Sequence, residues 1–227
     1  MNAEELKHKL LTLSEDSYKE FNKKLLPGIE NILGVRIPIM REIAKDIAKT
    51  DFREYLKNAK DDTYEEIMIQ GLVIGYAKAD IDEKFRCLDE FVPKINNWGI
   101  CDSCSMSYKF MKKEHIRSWQ YLQKYYNSDK EFEIRFAVVC TLAHFINAEY
   151  IEMIFDKFNQ ISHEGYYVKM AVAWAVAECV AKFPKETLEF LKNNNLDEFT
   201  QNKAIQKARE SFRVEAELKE IIKAYKK

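Results

Sequence analysis

The chain is predicted to fold as an all-α array, on three observations. Apolar residues recur at helical spacing along its length. Turn-forming residues are scarce, with six glycines and four prolines in 227 residues. No stretch longer than a few residues alternates apolar and polar as a half-buried strand does. Few breakers mean short loops and long helices rather than a turn-rich β fold. Hydrophobic residues make up 47% of the chain, enough for a sizeable core, and 36 basic side chains nearly balance 37 acidic ones, a globular rather than a disordered profile.

Each element has its own signal. Leu6, Leu10 and Leu13 line one face of a first helix, and a second runs from about Asp16 to Leu26, stopped by Pro27-Gly28. Gly34 breaks the chain. Pro38 suits the first turn of a helix, where its missing N–H costs nothing, and Ile39, Ile43 and Ile47 follow on one face. A short helix covers about 52–59. Thr63 with Glu66 is a capping-box pair that opens a helix through Tyr76, and another runs from Asp80 to near Ile95. Further helices are predicted near 102–112, 114–126, 130–146, 148–160, 164–182, 185–193, 197–210 and 214–226, separated by Asn147, Gly165, Pro184 and asparagine-rich turns. The segment YYVKMAVAWAVAECVAKF is apolar nearly all round, which marks a helix packed on both sides. Short turns favour antiparallel neighbours. Helix pairs of about 40 residues, stacked in series, predict an α-solenoid of HEAT-like or armadillo type, here as one domain over 1–227.

The bulk properties exclude several classes. The N-terminus MNAEELKHKL has no apolar segment of a secretory leader. The longest apolar run, Met170 to Ala181, contains Glu178 and is too short to span a bilayer. Five cysteines without disulfide-type spacing predict reduced thiols and a cytoplasmic protein. Cys101-x-x-Cys104 stands alone, without the further ligands that structural zinc needs. The four histidines are scattered, and no phosphate-cradling glycine motif occurs. No metal or cofactor is expected. The net charge is −1, whereas nucleic-acid binders are usually basic, so any such footprint must be local. The distribution is indeed uneven: 61–90 hold nine acids and three bases, and 201–227 hold eight bases and four acids.

Four residues stand out: Trp98, Asp102, Arg135 and Trp174. They lie on helical segments that recur at roughly the interval of a helix pair. If they face one surface, two indoles, a carboxylate and a guanidinium suit a ligand that is cationic, aromatic and phosphate-bearing, as alkylated DNA is. The stretches GVRIPIMREIAK (34–45), NNWGICDSC (96–104), EIRFAVV (133–139), YYVKMAVAWAVAECVAKFP (166–184) and NKAIQKARES (202–211) resemble the AlkD-like DNA glycosylases of the DNA alkylation repair family. The resemblance implies HEAT-like repeats around a concave groove for duplex DNA. It implies excision of cationic alkylpurines such as 3-methyladenine and 7-methylguanine without flipping the base. It also implies a carboxylate at Asp102, groove tryptophans at Trp98 and Trp174 and a groove arginine at Arg135. A monomer suffices for such a groove, and no membrane is involved.

The chemistry agrees with that set. Alkylation at N3 or N7 makes the purine a cation and a good leaving group, so the barrier lies in an oxocarbenium-like sugar. Asp102 would stabilise that cation and orient water. Indole faces attract cations by about 0.5–2 kcal/mol, and Arg135 would grip a phosphate. Arg36 and Arg41 at one end, and Lys169, Lys203, Lys207 and Arg209 towards the other, are candidate phosphate contacts. Each residue also has an ordinary reading. Asp102 can cap the helix that follows it. The two tryptophans can be core, Arg135 can pair with Glu131 on a helix surface, and the lysines can be a solvated face. Three functions remain open on these residues: a glycosylase, a DNA-binding member that does not excise, and a protein-binding scaffold.

Overall fold

The computed structural model describes residues 1–227, which form fifteen α-helices and no β-strand. In order they are α1 (Ala3–Thr12), α2 (Asp16–Leu25), α3 (Ile37–Ala48), α4 (Phe52–Asn58), α5 (Tyr64–Tyr76), α6 (Ile81–Phe91), α7 (Trp98–Ser105) and α8 (Phe110–Lys113). There follow α9 (His115–Tyr126), α10 (Glu131–His144), α11 (Ile151–Gln160), α12 (Tyr166–Lys182), α13 (Pro184–Lys192), α14 (Glu198–Glu210) and α15 (Ala216–Lys223). The helices gather into two compact units, residues 1–114 and 115–227. No helix is long and apolar enough to cross a membrane.

In the first unit α3, α5 and α7 lie side by side and run the same way. The carboxylate at Glu65, in the first turn of α5, accepts the N–H groups of Leu33, Gly34 and Val35 just ahead of α3. At the other end Lys45 stands over the Tyr76 ring, 5.8 Å from its centre. Likewise Gly99, at the start of α7, abuts Tyr64, and the Cys104 thiol further along α7 donates to the Met68 carbonyl. α6 returns in the opposite sense, with Phe91 against Gly71 and Lys84 reaching the carbonyls of Ile74 and Gly75. Flanked on three sides, α5 is buried without a break from Tyr64 to Ile74. Its start is the predicted capping box: the Thr63 hydroxyl accepts the Glu66 N–H, and the Glu66 carboxylate accepts the Thr63 N–H.

The second unit repeats the plan. α10, α12 and α14 run in parallel with their starts together: the Tyr167 N–H reaches Glu131, and the Tyr166 and Phe199 rings lie 6.0 Å apart. α11 and α13 form the next layer, tied by the stacked rings of Phe155 and Phe190 at 4.4 Å and by the Asn195 N–H on Asn159. α12 lies between α10 and α14, as the apolar circumference of its sequence predicts. Every second helix thus shares a layer, which is how helix pairs stack in series.

Two segments differ from expectation. The helix expected at 102–112 begins at Trp98 and ends at Ser105, and α8 follows after a turn. Asn97 caps α7 through its side-chain oxygen on the Ile100 N–H, 2.9 Å away, so the asparagine pair starts the helix rather than separating two. The helix expected to reach Ile95 stops at Phe91 and passes into a 3-10 turn, because Pro93 lacks the N–H that would continue it.

Lys84 is buried at 6% exposure, with its ammonium 4.4 Å from the centre of the Phe110 ring. Burial pushes its pKa down to about 8. The unfolded chain therefore binds more protons than the folded one between that value and the ordinary lysine range, and stability rises with pH across this window. Urea melts from pH 7.5 to 10.5 should show wild type gaining stability relative to Lys84→Met. Parallel pH dependence of the two proteins would show that Lys84 is charged with no penalty.

Candidate functional site

The site residues lie two on each unit. Trp98 and Asp102 sit four apart on α7, and Asn97, Ile100, Cys101, Cys104 and Ser105 turn inward beside them. The partly open positions of that helix are Trp98, Asp102 and Ser103. Asp102 is therefore not the cap of its helix, since Asn97 fills that place, and it projects on the same stripe as the indole. Trp98 is half-buried, and its indole N–H donates to the Leu25 carbonyl at 3.0 Å. That carbonyl is one of the last of α2, which has no further turn to bond it. The bond fixes the ring plane and ties the end of α2 to the start of α7.

Trp174 lies in the middle of α12, among buried Ala171, Val172, Ala173, Ala175 and Val176. It is not itself part of that core. Tyr167, Met170, Trp174, Glu178 and Ala181 are the partly open positions that form a stripe along this helix. A residue-by-residue apolar count cannot distinguish Trp174 from its neighbours, whereas the packing leaves it half-open.

Arg135 is buried, at 6% exposure. The ordinary alternative, a surface pair with Glu131, does not fit this burial. Both side chains instead grip one residue of α12: Arg135 Nη1 donates to the Tyr167 carbonyl at 2.6 Å, and Glu131 Oε1 accepts the Tyr167 N–H at 2.6 Å. The guanidinium also lies 5.9 Å from the centre of the Tyr167 ring. This clamp sets the register of α12 on α10, and with it the position of Trp174. Glu131 and Tyr167 carry no signal in the sequence that would single them out. The Tyr166-Tyr167 doublet at a helix start was visible only as part of an apolar helix.

The candidate phosphate contacts divide by their partners. Arg36 forms a two-pronged pair with Glu15, both bonds 2.8 Å, which holds the Glu15 carboxyl below the usual range. Lys169 lies between Glu164 at 2.7 Å and Asp197 at 3.8 Å, and the bond to Glu164 raises its pKa. Arg209 meets Glu220 at 3.4 Å. Arg41 is exposed, Lys207 is half-open, and Lys203 donates to neutral Gln206 at 2.8 Å. These three carry no carboxylate partner, so their charge is the most available to an anion. No group of three or more metal-type side chains is assembled anywhere. No disulfide joins any of the five cysteines, and Cys101 and Cys104 are buried.

Comparison with known proteins adds three findings. A family model described as DNA alkylation repair enzyme matches residues 6–209. Among solved structures the chain is similar to a member of a family described as related to the HEAT-like repeat DNA glycosylases, with affinity for branched DNA structures. The TM-score is 0.65 at 12% identity, over 99% of this chain and 93% of that one. Among curated proteins, none matches the chain. The likeness identifies the all-α architecture as the HEAT-like repeat fold of that group.

Proposed function

Because the chain belongs to the DNA alkylation repair enzyme family, we propose that it is a monofunctional DNA glycosylase for cationic alkylpurines of the 3-methyladenine and 7-methylguanine type in duplex DNA. The observation that carries this reading is the pairing of Trp98 and Asp102 on the open stripe of α7, with the indole held by Leu25. A carboxylate one helical turn from a fixed indole provides two stabilising contacts for a cationic sugar. Residues 1–227 are read as one functional domain acting as a monomer.

The reaction needs little from the protein beyond placement and charge. The bond between C1′ and N9 of the alkylpurine breaks, and its electron pair leaves with the base, which becomes neutral. Positive charge develops on the sugar, where Asp102 opposes it and the faces of Trp98 and Trp174 attract it. Water adds to C1′ and loses a proton to Asp102 or to solvent. Arg135 holds α12, and so Trp174, in register, and its guanidinium grips a phosphate. Arg41, Lys203 and Lys207 hold the backbone directly. Arg36, Lys169 and Arg209 join them by exchanging a carboxylate partner for a phosphate.

The test is release of 7-methylguanine and 3-methyladenine from methylated duplex DNA by wild type, read by chromatography of the freed bases, beside duplex binding at several salt concentrations. Release, with affinity falling steeply as salt rises, is the expected outcome. Binding without release would favour a second reading, a DNA-binding member that does not excise. That reading draws on the similar structure from a family with affinity for branched DNA. Neither release nor binding would leave a protein-binding helical scaffold.

A further inference from the structure

An amine is buried in the first unit without a counter-ion. Lys84 forms no ion pair, and Glu83 beside it on α6 is taken by Arg53. Its nitrogen donates to the carbonyls of Ile74 at 2.9 Å and Gly75 at 3.4 Å, near the end of α5. That arrangement suits the neutral form, since a neutral amine has two N–H groups for the two carbonyls and keeps a lone pair. Lys84 also lines a cavity of about 500 Å³. The Phe110 ring, 4.4 Å from the nitrogen, walls one side, with Ile81 beside it. Lys109 and Lys113 line the same cavity, and both are exposed and without a carboxylate partner. The cavity stands at the Gly75 end of α5, roughly 15 Å along that helix from the Tyr64 end, where Gly99 and the start of α7 are packed.

These groups match one class of ligand. Burial brings the Lys84 pKa down to about 8, outweighing Glu83 and Cys87, which raise it. At pH 7.4 about one amine in five is then neutral, against about one in a thousand for an ordinary lysine. A desolvated, neutral lysine is a nucleophile for carbonyl carbon. Lys109 and Lys113 supply charge for an anion, and Phe110 and Ile81 supply an apolar wall. We propose that the cavity binds a small aldehyde that carries a phosphate, and that Lys84 captures it as an imine. The amine lone pair adds to the carbonyl carbon, and a proton passes from nitrogen to oxygen. That oxygen leaves as water, so a C=N bond replaces C=O with no oxidant or reductant. Two carboxylates face the cavity as well, Asp80 and Glu114. Asp80 accepts the Glu83 N–H at 2.8 Å, which leaves Glu114 to carry the proton.

The probe is pyridoxal 5′-phosphate, and pyridoxal, the same aldehyde without the phosphate, is its control. Each is added in limiting amount to the whole protein, the imines are fixed with borohydride, and the modified lysines are mapped by peptide mass spectrometry. Lys84 should be captured by the phosphorylated probe at least about tenfold faster than any other lysine, as its larger neutral fraction requires. Above pH 8 its labelling should level off while that of the other lysines keeps rising. Replacing the two exposed lysines, Lys109→Ser with Lys113→Ser, should slow capture of the phosphorylated probe at Lys84 and leave that of pyridoxal unchanged. Modification spread over exposed lysines with Lys84 spared would overturn the proposal. Equal capture of the two probes at Lys84 would overturn its phosphate part. Wild type alone decides both points, whether or not a Lys84 variant folds, and neither depends on the DNA reading.

Discussion

Asp102→Asn is expected to lower release of 7-methylguanine and 3-methyladenine from methylated duplex by about 100-fold or more, with duplex affinity changed by no more than about threefold. The substitution keeps size and shape and removes only the charge. A charge that acts on the sugar cation alone reduces the chemical step and leaves ground-state binding in place. Asn97, not Asp102, caps α7, so the change should not unfold the helix that also carries Trp98. Single-turnover release and anisotropy binding, measured on the same duplex, separate the two effects. Excision at the wild-type rate by the asparagine variant would remove Asp102 from the chemistry. Equal loss of binding and excision would assign it to holding DNA instead.

Glu65→Ala is expected to destabilise the protein by about 3 kcal/mol or more, because it orphans three backbone donors at once. Glu65 has 0% exposure. Its two oxygens accept three consecutive backbone N–H groups, from Leu33 at 2.9 Å, Gly34 at 2.7 Å and Val35 at 3.2 Å. Without it those donors are buried unsatisfied, each at a cost of about 1–3 kcal/mol. The loop is also packed closely against the start of α2. Gly34 sits at φ 96°, and a Cβ there would lie 2.6 Å from the Glu15 carbonyl oxygen. Glu65→Gln keeps one acceptor oxygen and should lose about half as much. Urea denaturation of the three proteins measures this, and an alanine variant within about 0.5 kcal/mol of wild type would show that water replaces the carboxylate.

Much of the fold was legible because its signals are local. The i, i+4 spacing of Ile39, Ile43 and Ile47 lies on one helix whatever surrounds it. Thr63 and Glu66 satisfy each other's backbone groups within a single turn. The near-continuous apolar run of α12 requires partners on both sides, and α10 and α14 are those partners. Asn97 shows the limit of such signals. Asparagine both ends and begins helices, and the choice went to capping because Trp98 and Ile100 had neighbouring helices to pack on. Glu65 is another case. A glutamate in the first turn of a helix reads as an exposed residue answering the helix dipole, and only the approach of the loop before α3 makes it a buried acceptor for three donors.

The residue types of the candidate site were determined by the sequence alone: the two indoles, Asp102 and Arg135 stand at spacings that resemble the alkylation repair family, and the chain belongs to it. The sequence likewise determined that the chain is helical throughout, since each helix is specified by residues three and four apart. What each side chain does within its unit was decided by tertiary structure. Trp98 is tied to Leu25, seventy-three residues away. Arg135 and Glu131, four apart and of opposite charge, both grip Tyr167, thirty-two and thirty-six residues on. Burial and partner choice depend on which distant segments arrive at the same place, and a buried backbone group that arrives there must be satisfied; helical periodicity carries no record of either.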